Sequence, residues 1–354
     1  MPTLFDPLRL GDLDIPNRII MAPLTRLRAG SRHIPNALMA EYYTQRASAG
    51  LIISEAVPVS PQGVGYQGVP GIWAREQVEG WKQVTQAVKA AGGRIFMQLW
   101  HVGRISDPSF HDGRPPVAPS AIAAEGHVSL LRPERPYPVP RALEPDELPG
   151  VVAAFRQGAE FAQAAGFDGV EIHGANGYLL DQFLQDGSNR RTDEYGGPIE
   201  NRARLMLEVT DAAISVWGRD RVGMHLAPRA DAHSMGDSDL AGTFGYVVQQ
   251  LDRRGIAFIC AREHVAADSL GPRLRKDFGG VYIANEGFTG ESAQAALDAG
   301  TADAVAFGKA FIANPDLVRR LRTHAPLNAL VPETIYAPDA TGYTDYPALA
   351  LASA

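Results

Sequence analysis

Residues 167–184, FDGVEIHGANGYLLDQFL, run from an apolar strand pattern through a polar loop into the start of a helix. This is one βα unit, and its loop delivers His173, Asn176 and Tyr178 to one spot. The same alternation recurs on both sides. Strands are read at 18–24, 50–56, 94–100, 169–173, 221–228, 256–262, 281–286 and 304–309, mostly as near-continuous apolar runs, which suits strands covered on both faces. Apolar spacing near 3.6 marks helices at 76–91, 145–165, 199–217, 240–253, 291–299 and 315–322. Asp239 and Asn314 read as N-caps, the second with proline at the first helical position.

Eight such units predict a closed (β/α)8 TIM barrel, here a single domain over residues 1–354. That fold takes about 250 residues, which leaves room for additions. LFDPLRLGDLDIPNR reads as an N-terminal hairpin plugging the barrel floor, and 102–141, rich in Pro, Gly, Ser and His, as an extended loop after the third strand. Glycines at 63, 65 and 68 fit G-x-G-x-x-G on spacing alone. Prolines at 58, 61 and 70 leave no room for the helix that a dinucleotide fingerprint needs, so this segment reads as a loop.

Composition narrows the function. The chain has 45% hydrophobic residues, 21% charged and a formal charge of −7, so a phosphate-backbone surface and nucleic-acid partners are not expected. Cys260 is the single cysteine, which rules out an intrachain disulfide and an all-cysteine metal centre, and a cytoplasmic location is expected. The N-terminal stretch lacks the pattern of a secretory leader, and no apolar run reaches the roughly 18 residues of a membrane span. His101, His111, His225 and His233 have no supporting carboxylate spacing, so no metal site is expected.

Barrel enzymes assemble their sites at the C-terminal ends of the strands. There, His173 and Asn176 offer two neutral donors for one acceptor oxygen, and the phenol of Tyr178 carries a proton at neutral pH. Taken singly, each has an ordinary structural explanation, as a buried histidine, a turn residue and a half-buried aromatic. Gly287 and the pair Gly308 and Lys309 follow the last two strands, where barrels commonly bind phosphate. An oxygen clamp with a proton donor still lacks an electron source or a nucleophile, so a cofactor is called for.

The stretches LFDPLRLGDLDIPNRIIMAPLTR, SEAVPVSPQGVGYQGVPGIW, FMQLWHVGR, EIHGANGYLLDQFL, AFGKAFIANPDL and GYTDYP together resemble the old yellow enzymes, FMN-dependent ene reductases, over nearly the whole chain. The likeness is strongest to the N-ethylmaleimide and xenobiotic reductase branch. It implies bound FMN, NADPH or NADH as hydride donor, and an electron-poor alkene such as an enone, nitroalkene or maleimide as substrate, with nitrate esters as further candidates. It also implies catalytic roles for Tyr178, His173 and Asn176. Ala22, Pro23, Leu24, Thr25, Ala56, Gln98, His225, Gly287, Gly308 and Lys309 would contact the flavin, and Tyr66, Trp100 and Tyr343 would wall the substrate side.

Two positions depart from the family pattern. His225 stands where most relatives place arginine against the flavin, so a pH-dependent flavin potential is expected, because histidine titrates near neutrality and arginine does not. Lys309 stands where arginine is common in the phosphate loop. Two rival readings stay open: a flavin-free barrel isomerase or lyase acting on a phosphorylated substrate, and a flavin-binding protein without turnover.

Overall fold

The computed structural model describes residues 1–229 and 232–350. Two short antiparallel strands, β1 (Leu8–Leu10) and β2 (Leu13–Ile15), form the expected hairpin. Eight parallel strands then close a barrel in chain order: β3 (Ile19–Met21), β4 (Leu51–Pro58), β5 (Ile95–Trp100), β8 (Gly169–Gly174), β9 (Val222–Leu226), β10 (Phe258–Arg262), β11 (Val281–Asn285) and β12 (Ala304–Phe307). Two-residue strands β6 (Val117–Ala118) and β7 (Arg141–Ala142) pair in parallel within the long loop after β5.

Helices wrap the barrel outside: α1 (Ala37–Gln45), α2 (Arg75–Ala90), α3 (Leu148–Ala164), α4 (Leu179–Leu184), α5 (Ile199–Arg202), α6 (Arg204–Trp217), α7 (Leu240–Arg254), α8 (Gly271–Asp277), α9 (Gly290–Asp298), α10 (Lys309–Ala313) and α11 (Leu317–Thr323). The helix expected over 199–217 is broken at Ala203, and α1, α8 and α10 lie outside the ranges read from apolar spacing. Asp239 caps α7 as expected, its carboxylate accepting the Gly242 N–H. Asn314 does not cap a helix start. It ends α10, its amide donating to the Ala310 carbonyl and its oxygen accepting the Asn328 N–H, while α11 begins after Asp316.

Period-two alternation sorts each strand into an outward and an inward row. Outward residues such as Met97, Leu99, Val170, Ile172, Met224, Leu226 and Ile259 pack against the helices. Inward residues near the barrel floor, including Ile20, Ile53, Phe96 and Phe258, form a second cluster with Leu10, Leu13 and Ile15, so the hairpin plugs that end. Burial of each such side chain contributes about 1.5–3 kcal/mol. Phe96 and Phe258 meet with ring centroids 5.9 Å apart, opposite Gly169 and Gly223 in register. A Cβ at either glycine would collide with the facing ring, so large and small residues alternate around this layer. Above it the inward row turns polar.

Candidate active site

Gln98, Glu171, His173, His225 and Arg262 are polar inward-facing residues that follow the aromatic layer toward the strand C-termini. Gln98 and Glu171 are neighbours in register, and the Gln98 amide donates to Glu171 Oε2 at 2.7 Å. His173 and His225 are also register partners, with ring centroids 5.5 Å apart. His225 Nδ1 lies 3.7 Å from Glu171 Oε2, and both residues are buried. Among the described residues, Glu171 Oε1, His173 Nδ1 and both ring nitrogens of His225 have no hydrogen-bond partner. Buried polar atoms rarely stay unsatisfied, and such a cluster at a barrel mouth marks a ligand site.

The loop after β8 is tied down atom by atom. Asp181 accepts the Gly177 N–H at 2.8 Å, and the Gln182 amide donates to the Gly177 carbonyl at 2.7 Å. His233 Nδ1 donates to the Asn176 carbonyl at 2.7 Å. Asn176 and Gly177 both take positive φ, 57° and 75°, which asparagine and glycine tolerate best. The turn brings Tyr178 to the start of α4, with its hydroxyl 3.0 Å from that of Tyr66.

An aromatic wall orients these groups. Trp100 stacks near His173 with centroids 6.0 Å apart, meets Tyr178 edge-on at 4.8 Å and lies 5.6 Å from Tyr66. The long loop closes over this wall: Val102, Ile105, Ala124, Val128 and Tyr137 pack with Val64, Val69 and Trp100. The G-x-G-x-x-G segment starts at the end of a single 3-10 turn, Pro61–Gly63, and runs on as loop, with no α-helix until Arg75.

Burial sets the protonation states. It holds His173 well below the ordinary imidazole range, with His225 as a further cause, so the ring is neutral at pH 7. Burial likewise raises the Tyr178 phenol above its ordinary value, so it keeps its proton. His101, behind the wall, is pushed down to about 3 by burial.

Beside these groups is a cavity of about 600 Å³, lined by Ala22, Pro23, Leu24, His173, Asn176, His225, Arg262, Gly287, Gly308 and Lys309 among others. Lys309 is exposed at its rim, at the start of α10. Residues 3–328 match the NADH:flavin oxidoreductase / NADH oxidase family. The chain belongs to that family.

Among its relatives is a probable flavin mononucleotide-dependent alkene reductase of Leishmania infantum, 44% identical over 97% of each chain. The structure of the old yellow enzyme homologue from Zymomonas mobilis matches with a TM-score of 0.96 at 48% identity, covering 98% of this chain and 100% of the other. Morphinone reductase, solved in complex with tetrahydroNAD, also matches at 0.96, with 50% identity over 99% of this chain and 98% of the other. This flavin oxidoreductase is therefore an enzyme of the old yellow type, with FMN as cofactor and a nicotinamide as reductant.

The residues present fit FMN. The cavity falls within the roughly 300–1,000 Å³ usual for cofactor sites. It combines an apolar wall (Ala22, Pro23, Leu24), unsatisfied polar atoms at its base (His173, His225) and a cation with two glycines at one end.

Other expected site residues are distributed less simply. Ala56 and Gln98 are buried, Thr25 is half-buried, and none of the three lines the cavity wall. Tyr343 is fully buried, stacked on Tyr42 at 4.0 Å with Arg26 and Arg28 against its ring, and is not among the residues that line this cavity. The histidine reading missed a grouping, since Glu171, His225 and Cys260 bring ligand-type atoms within 4.8 Å of one another. Burial, with Glu171 beside it, holds the Cys260 thiol far above its ordinary range. The reading also missed Arg262. Alternation from Phe258 through Cys260 points it inward at the top of β10, a signal present in the sequence.

Proposed function

We propose that this flavin oxidoreductase is an ene reductase that saturates electron-poor alkenes conjugated to a carbonyl or nitro group, with Tyr178, His173 and Asn176 as its catalytic residues. FMN held in this cavity would supply hydride for the alkene β-carbon, with NADPH or NADH as the reductant. His173 and the Asn176 amide hold the substrate oxygen and stabilise the negative charge that gathers on it as the β-carbon is reduced. Tyr178 gives its proton to the α-carbon, so one hydride and one proton together saturate the bond. Trp100 and Tyr66 exclude water from the reacting face and keep the imidazole and phenol in place. Gly287, Gly308 and Lys309 would receive the FMN phosphate, and Gln98, Thr25, Ala56 and His225 would surround its ring.

The observation that carries this reading is the pairing of a neutral His173 with the Asn176 amide on one cavity of cofactor size, with the protonated Tyr178 edge-on to His173 at 5.0 Å between ring centroids. No observation favours the flavin-free isomerase over it, given the family. The single cysteine, and the lack of a helix long and apolar enough to cross a membrane among the described residues, are compatible with the expected cytoplasmic location.

The purified protein provides the test. It should be yellow, bleach on addition of NADPH under nitrogen, and recover its colour with 2-cyclohexenone or N-ethylmaleimide. Protein that bleaches but is not reoxidised by either alkene would defeat the assignment.

A further inference from the structure

Arg262 forms a fork between two loops. Its Nη1 donates to Asn176 Oδ1 at 2.9 Å, while Nε lies 2.7 Å from Glu286 Oε2 and Nη2 lies 3.1 Å from Glu286 Oε1. Asn176 and Arg262 both line the cavity, as does Glu286. Glu286 adopts φ 95°, in the left-handed region that favours glycine, and a side chain held there costs on the order of 1–3 kcal/mol unless its surroundings fix it. The two-point grip on Arg262 is such a constraint.

The chemistry of the contact settles the Asn176 amide. A guanidinium only donates, so the Asn176 atom facing it must be the carbonyl oxygen, and the NH2 group is the end left for the cavity. Without Arg262 the amide is free to turn over and present an acceptor instead. We propose that Arg262, held by Glu286, is a positioning residue that makes Asn176 a hydrogen-bond donor to the ligand and so selects acceptor oxygens over hydroxyls. The proposal rests on Asn176 being part of the oxygen clamp.

Binding to the oxidised FMN-loaded enzyme tests this without turnover, since oxidised flavin has no hydride to give. The Kd of 2-cyclohexenone and of 2-cyclohexen-1-ol is read from perturbation of the flavin absorbance in wild type, Arg262→Met, Asn176→Ala and the double variant. Arg262→Met should weaken the enone about fivefold to tenfold, the loss of one oriented hydrogen bond, and should narrow the preference for enone over alcohol. In the Asn176→Ala background the same substitution should change Kd less than about twofold, because its effect passes through the missing amide. Arg262→Lys should recover part of the preference. Should Arg262→Met fail to fold or hold flavin, Glu286→Gln loosens the same fork and is run through the same cycle.

Equal losses in both backgrounds would overturn the positioning role, because Arg262 would then act independently of Asn176. An unchanged enone-to-alcohol ratio would overturn it as well. If Asn176→Ala alone leaves enone affinity intact, the oxygen clamp itself fails, an outcome distinct from failure of the fork.

Discussion

The hydroxyls of Tyr66 and Tyr178 lie 3.0 Å apart, and this contact is the one hydrogen bond found for the Tyr178 phenol among the described residues. Burial raises the Tyr178 pKa and the bond to Tyr66 lowers it in part. Tyr66→Phe removes that partner and leaves a weaker acid. Alkene-driven reoxidation of the reduced enzyme should slow about fivefold, the value of one hydrogen bond, with nicotinamide oxidation unaffected. Stopped-flow measurement of the two half-reactions separates these rates, and equal slowing of both would contradict the assignment.

Tyr178→Phe removes the proton donor itself. General acids contribute roughly 10²- to 10⁴-fold, so reoxidation by 2-cyclohexenone should fall by at least about a hundredfold while reduction by NADPH changes little. A loss shared by both half-reactions would mean that Tyr178 shapes the cavity and does not deliver the proton.

Asp181, beneath the Tyr178 loop, bears on pH stability. Burial pushes its carboxyl up to about 6 from an ordinary 3.8, against hydrogen bonds from Gln185 and the Gly177 N–H that favour the charge. Asp237 nearby raises it and Arg104 lowers it. Between about pH 4 and pH 6 the folded chain therefore keeps a proton that the unfolded chain has released. The contribution of this group to stability falls as pH rises through that window and is constant above it, the full cost being about 3 kcal/mol. Asp181→Asn should flatten this part of the profile, measured as the urea midpoint at pH 4.5, 5.5 and 7. Parallel profiles for the two proteins would refute the argument.

Lys309 tests the phosphate end of the cavity. Apoprotein carrying Lys309→Met should bind FMN about tenfold more weakly, the loss of one charge-assisted hydrogen bond. Riboflavin, which has no phosphate, should bind wild type and variant alike. If riboflavin weakens to the same degree, Lys309 supports the fold of the rim and does not hold phosphate.

Much of this was legible in the chain because it is written in short-range patterns. The eight barrel strands follow from apolar runs separated by helical spacing, and the hairpin from its position and turn residues. Asp239 was found as a cap because N-cap chemistry is local. Asn314 misled for the same reason: its side chain suits a helix start, but the Ala310 carbonyl and the Asn328 N–H, brought close by folding, claim it at a helix end. The setting of Tyr343 is of longer range still, since it stacks against Tyr42, far earlier in the chain.

The sequence by itself determined the (β/α)8 barrel, the family, and the loop that carries His173, Asn176 and Tyr178, because periodicity and motif spacing are properties of neighbouring residues. Only the tertiary structure decided what those residues face. Arg262 is separated from Asn176 by 86 positions and from Glu286 by 24, and no local rule joins them. Barrel closure brings their strand ends to one rim, where a guanidinium meets an amide oxygen and a carboxylate, and that meeting settles which end of Asn176 the cavity sees.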